Sequence, residues 1–177
     1  MKNIYANALP EGYLVAQLVA VPSKNPNQIP WPTAKSKDPK QNFTTESFIA
    51  NVVKDVKAKH KIDDARVFTL SWSSGGPAAY TASLTKGTPI KGSLVAMSVF
   101  LLNDVKALLP AAKGQRYYIL HSPQDEVCRY LFADLAKTQL SKAGATVQTA
   151  NYDGGHGWHG DVFENIRAGI DWLQGKP

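Results

Sequence analysis

Cysteine is all but absent from this chain. Cys128 stands alone among 177 residues, so no intrachain disulfide can form, and with only four histidines no paired Cys/His spacing builds a zinc site. No metal and no cofactor is expected. Long apolar runs are missing too: nothing approaches the length of a membrane span, and Met1-Lys2 is not followed by the apolar segment of an export signal. If that start is the native one, the protein is expected in the cytoplasm. Charge of one sign is in modest excess, twenty Lys and Arg against fourteen Asp and Glu, a formal +6. The basic residues are scattered, loosely clustered over 35–40 and 54–61, without the aromatic interleaving that grips nucleic acid. A solvated basic face is the expectation, not a nucleic-acid partner.

What is present suffices for one well-buried core: 44% of the residues are apolar, and a single domain over 1–177 is the default at this length. The run GYLVAQLVAV over 12–21, bounded by Gly and Pro, predicts a strand buried on both faces. A long loop dense in Pro, Lys and Asn follows. Apolar residues Phe48, Ile49, Val52, Val53 and Val56 then recur at helical spacing behind Thr44 or Thr45 as N-cap, predicting a helix that ends near His60. Further strands are predicted over 66–70, 92–99, 116–121 and 146–152, with helices over 74–84, 126–143 and 162–173. Such alternation predicts an α/β fold: a mostly parallel, doubly wound sheet of about five strands with helices on both faces. In open sheets of this kind, sites form beyond the carboxyl ends of the strands.

Three polar loops sit at those ends. After the second strand comes SWSSGG, where Ser73 is centred between the small residues Ser71 and Gly75. A nucleophile on a strand-to-helix elbow needs small neighbours because the two backbones pass close together, and the N–H of the next residue, Ser74, is free to face a developing oxyanion. A loose Ser-Gly turn is the plain alternative. A serine hydroxyl needs a base, itself oriented by an acid. His156, between glycines in YDGGHGW, is the candidate base, with His159 its rival at the start of the last helix. Asp125 in HSPQDE is the candidate acid, able to hold the Nδ1–H of His156; Glu126 is the other choice, and helix N-capping is the plainer role for Asp125. A metal cluster of Asp153, His156, His159 and Asp161 is disfavoured because its ligands share one glycine loop. His60 and His121, at element ends, read as structural. Trp31, Trp72 and Trp158 are candidates to line an acyl or aromatic pocket, against ordinary packing as the bland reading.

The order Ser, Asp, His, each after a successive strand, resembles the α/β-hydrolase superfamily. Within it, SWSSGG, HSPQDEVC and YDGGHGW resemble the carboxylesterase, phospholipase and polyhydroxyalkanoate-depolymerase-like esterases, over about 12–173. The resemblance implies Ser73 as nucleophile, Asp125 as acid, His156 as base, and an acyl-enzyme route to cleavage of small-molecule carboxylic esters. Two departures stand out. Ser71 replaces the first glycine of G-x-S-x-G, and the strands that normally open the family's fold, with a His-Gly loop donating a second oxyanion N–H, do not precede Gly12. Losing such a donor typically costs ~10²–10³ in rate. The loop Asn27-Gln28-Ile29-Pro30-Trp31 is a candidate substitute, although a plain surface connection is the simpler reading of it. The gap beside strand 66–70 is expected to close by direct pairing, by recruiting Asn3 to Leu9, or by a strand from another chain in a homodimer.

The sequence leaves two rival readings open. One is a catalytically silent, truncated hydrolase-like domain acting in binding or assembly. The other is a flavodoxin-like module, for which PSKNP over 22–26 makes a poor phosphate loop because its prolines remove N–H donors.

Overall fold

The computed structural model describes residues 6–20, 29–37 and 41–176. Four strands, β1 (Phe68–Trp72), β2 (Gly92–Ala96), β3 (Arg116–His121) and β4 (Thr146–Asn151), form one sheet in the order β1-β2-β3-β4, all parallel. Each connection carries helix: α1 (Thr45–Lys59) precedes β1, α2 (Gly76–Leu84) joins β1 to β2, α3 (Leu102–Val105) with a 3-10 stretch joins β2 to β3, α4 (Leu131–Lys142) joins β3 to β4, and α5 (Val162–Leu173) ends the fold.

Side-chain alternation along the central strands builds two cores, one on each face of the sheet. Val95, Tyr117 and Ile119 pack with α2 and α4 residues such as Tyr80, Ala136 and Leu140, while Leu94, Ala96, Tyr118 and Leu120 pack under Ile166, Ile170 and Leu173 of α5. Small residues set the layer spacing. Ala78, Ala79 and Ala82 let α2 lie close, and at Gly169 an added Cβ would fall 2.5 Å from Leu94 Cδ1 and 2.8 Å from the Tyr118 ring. Capping residues then fix the helix starts. Thr44 and Ser47 make a reciprocal capping pair on α1, and Asp161 accepts the Glu164 N–H at the start of α5.

Four of the five expected strands form, and the first does not. Among the described residues, 13–20 pair with no strand, and Leu14, Val15 and Val19 are 56%, 47% and 75% exposed. The reason is the missing neighbour. A strand buried on both faces exists only where a sheet edge receives it, and 13–18 lie apart from β1 across a groove of about 1040 Å³ that Ile49, Val53 and Trp31 also border. Direct pairing therefore fails to close the gap. Residues 6–8 are helical, so they add no strand; Asn3 to Tyr5, and Val21 at the end of the expected first strand, lie outside the described residues.

Boundaries shift for local reasons. Asp63 accepts the Ala65 N–H and pairs with Arg66, holding Arg66 in a 3-10 turn, so β1 begins at Phe68 and runs on to Trp72. Met97, at φ 41°, ends β2 short of the expected 99. Helix α4 begins at Leu131, not 126, because the Asp125 carboxylate binds the Val127 and Cys128 N–H groups in a turn.

Substituting Gly169→Val is expected to force α5 off the sheet and destabilise the fold by ~1–3 kcal/mol, the usual cost of overpacking. Urea unfolding checks this: the midpoint should fall with little change in slope.

Candidate active site

The sheet brings three loops to one edge. β1 ends at Trp72 and the chain turns at Ser73 into a 3-10 turn, Ser73–Gly75, that feeds α2. Ser73 sits at φ +45°, in the left-handed region that a side chain rarely tolerates. The strain is held from below: Ser98 donates its hydroxyl proton to the Ser73 carbonyl at 2.6 Å, and it occupies the space where a Cβ on Gly76 would fall, 1.9 Å from Ser98 Oγ. The Ser74 N–H lies at the start of the turn, among those that a helix leaves without an intrahelical acceptor.

Across the edge, Ser73 Oγ lies 3.1 Å from His156 Nε2, and His156 Nδ1 lies 2.9 Å from Asp125 Oδ2. A carboxylate can only accept, so Nδ1 carries the proton and Nε2 is left as the acceptor for the Ser73 hydroxyl. The other Asp125 oxygen, Oδ1, accepts the Val127 and Cys128 N–H groups at 2.9 and 2.7 Å. Burial by itself raises the Asp125 pKa; the His156 hydrogen bond, the Cys128 and Val127 N–H groups and the His156 charge together overcome it, and the carboxyl sits below its ordinary 3.8. N-cap-like bonding and the His156 bond are thus both made, by different oxygens.

The rival residues are elsewhere. Glu126 is exposed, and His159 stacks on Tyr152 at 6.4 Å between ring centroids. Trp72 and Trp158 meet edge to face at 6.0 Å beside the Ser73 and His156 loops, and Trp31 brings its indole Nε1 to 3.8 Å from where a Cβ on Gly75 would stand. Asn27 and Gln28 lie outside the described residues. His121 is buried and donates from Nε2 to the Cys128 carbonyl at 2.5 Å, with Asp125 Oδ2 3.5 Å away.

No protein-family model and no curated protein matches the chain. Solved structures do match. Esterase PE8 superposes with a TM-score of 0.67 at 17% identity, over 88% of this chain and 75% of that one. A variant of Arabidopsis thaliana SOBER1 gives 0.63 at 18%, over 81% and 71%, and the Bacillus cereus carboxylesterase gives 0.55 at 17%, over 72% and 57%. The chain has the α/β-hydrolase fold. Identities this low speak to architecture alone, and the chain spans little more than half of the carboxylesterase's length.

Within this α/β-hydrolase fold, His121, expected as structural, sits under the acid loop, and three side chains beyond the sequence expectations also support the loops: Ser98 under the elbow, and Ser122 with Tyr152 on the histidine loop. Ser98 and Ser122 act on loops 25 and 33 residues away, which no local motif marks, whereas His121 and Tyr152 act within their own loops. The disfavoured cluster of Asp153, His159 and Asp161 with His156 does not assemble. Among the described residues, the set of potential metal ligands whose donor atoms lie within 4.8 Å of one another is Asp125, Cys128 and His156. Burial, and then the Asp125 charge, push the Cys128 thiol up to about 11, so it stays protonated at neutral pH. A metal ion there would have to displace protons from both Cys128 and His156 Nδ1.

Asp125 carries a sign-definite pH signature. Its folded pKa lies below the unfolded value of about 3.9, so its ionised form stabilises the fold above that value and the contribution is lost as pH falls below it. The stability difference between wild type and Asp125→Asn, measured by urea unfolding, is expected to hold from pH 7 to about 5 and to shrink below about 3.9.

Proposed function

We propose that the chain is a serine hydrolase that cleaves carboxylic esters through an acyl-enzyme. The observation that carries this reading is the continuous relay from Ser73 Oγ to His156 Nε2 at 3.1 Å and from His156 Nδ1 to Asp125 Oδ2 at 2.9 Å, on a strained elbow. Ser73 Oγ attacks the ester carbonyl while its proton passes to His156 Nε2. The oxyanion that forms is held by the Ser74 N–H. Collapse breaks the bond to the alkoxy oxygen, which takes the proton from His156 and leaves as the alcohol. Water then loses a proton to His156 and attacks the acyl carbonyl; the bond to Ser73 Oγ breaks, Oγ takes the proton back from His156, and the acid is released. Asp125 keeps the imidazole in the Nδ1–H tautomer and stabilises the imidazolium at each protonation.

Trp31, Trp72 and Trp158, gathered at the elbow, form the walls against which the small ester substrate lies in this reading. The esterases and hydrolases among the structural neighbours support hydrolysis as the reaction class. Turnover of short-chain p-nitrophenyl esters by the purified chain tests it. Ser73→Ala is expected to reduce kcat by ~10³-fold or more with the fold intact; equal turnover in the two proteins would sink the reading.

One observation favours a second reading, a silent domain that acts by assembly. The outer edge of β1 has no strand neighbour among the described residues and faces the groove of about 1040 Å³, and an unpaired edge is a template for another chain. On this reading the chain forms a homodimer through that edge. Sedimentation velocity at micromolar concentration checks it: a dimer that Thr69→Pro disperses is the expected result, and a monomer at every concentration contradicts it.

A further inference from the structure

His156 stands on a loop with little stiffness of its own. Gly154, Gly155 and Gly157 all adopt positive φ, at 125°, 79° and 132°, and glycine-rich backbone orders only at an entropic cost. Yet the imidazole has to meet Ser73 on one side and Asp125 on the other, and a misplacement of about 1 Å in such a constellation costs ~10²-fold in rate. Side chains gripping its backbone have to fix it.

The peptide groups at Gly155, next to His156 in the chain, are gripped from both ends. The Gly155 N–H donates to Ser122 Oγ at 3.1 Å, and the Gly155 carbonyl accepts the Tyr152 hydroxyl at 3.0 Å. Ser122 is fully buried and directly follows β3. Its hydroxyl also accepts the Gln124 N–H at 3.2 Å and donates to Gln124 Oε1 at 2.7 Å, while its carbonyl accepts the Asp125 N–H at 3.1 Å. One residue thus touches the backbone of the acid and the backbone beside the base. Burial, and then the Asp125 charge, push the Tyr152 phenol up to about 12, so it keeps the proton it donates.

We infer that Ser122 and Tyr152 are positioning residues: together they clamp Gly155 and hold the His156 ring at the distance from Asp125 and Ser73 that proton transfer needs. The inference rests on the esterase reading above for its kinetic consequence but not for its geometry. Without the Ser122 hydroxyl the Gly155 N–H has no acceptor and the histidine loop is released from the acid loop, while the Ser73 elbow and the tryptophans stay in place. Substrate binding is then untouched and proton transfer suffers.

Ser122→Ala and Tyr152→Phe are to be compared with wild type by steady-state ester hydrolysis, by urea unfolding, and by proton NMR of the downfield His156 Nδ1–H that faces Asp125. Tyr152→Phe works on the opposite end of the same glycine without altering Ser122, so failure of one variant to fold does not remove the test. The expected result is a fall in kcat of ~10- to 10²-fold with KM nearly constant, and a His156 signal that shifts or broadens in both variants. In the double variant the losses should be far from additive, because one glycine is being released twice. Unchanged kcat and an unchanged Nδ1–H signal in the folded variants, or a loss confined to unfolding stability, would overturn the clamp. If wild type hydrolyses no ester but the variants still alter the Nδ1–H signal, the esterase reading fails while the clamp stands. If wild type is inactive and the signal does not move, both fail.

Discussion

Everything at the edge of this sheet turns on where one buried carboxylate spends its two oxygens. Asp125 Oδ1 takes two backbone N–H groups of its own loop and Oδ2 takes the ring N–H of a loop 31 residues on. Burial would push the carboxyl toward its neutral form. The three donors reverse that, and by doing so they determine the rest: α4 starts late because the N–H groups of Val127 and Cys128 are engaged, and His156 presents its bare Nε2 to Ser73 because Nδ1 is occupied. His121, seated beneath the same turn on the Cys128 carbonyl, closes the cage from the strand side.

The parallel sheet supplies the alignment. Registers that pair Trp72 with Ala96, Ala96 with Leu120, and His121 with Asn151 bring the ends of β1, β2, β3 and β4 to one level, so the elbow, the acid loop and the histidine loop leave the sheet side by side. Each loop then needs one unusual backbone device. The elbow uses a serine in left-handed conformation braced by Ser98; the acid loop uses an Asx-type turn; the histidine loop uses positive-φ glycines pinned by Ser122 from outside and by Tyr152 at its own start. The two apolar cores on either face give these devices a rigid base, since close-packed layers resist the sub-ångström shifts that would separate the relay.

Most of this was legible in the residues themselves. β-branched and apolar runs ending in polar, glycine-rich loops marked four strands and the order Ser73, Asp125, His156, because strand ends and tight corners leave local traces. The segment GYLVAQLVAV shows where such reading stops. Its composition is that of a buried strand, but a strand is defined by a neighbour to bond with, and β1 stands across a groove from residues 13–18. The start of α4 was misplaced for a similar reason: helical spacing from Glu126 onward competes with a carboxylate that binds the first N–H groups itself. Ser98 and Ser122 left no signal of these roles, since their partners are 25 and 33 residues away and the bonds depend on how loops meet in space; Tyr152 reaches only three residues on, but its bond depends on the positive-φ turn at Gly154 and Gly155.

The central claim is that Ser73 is a reactive nucleophile and His156 its base. Treatment of the folded chain with a serine-directed phosphonate, followed by peptide mapping by mass spectrometry, addresses it most directly. The account predicts a single adduct on Ser73 that forms rapidly in wild type and at least ~10²-fold more slowly in His156→Ala. No adduct on Ser73 in a folded protein, or labelling at a rate indifferent to His156, would contradict it.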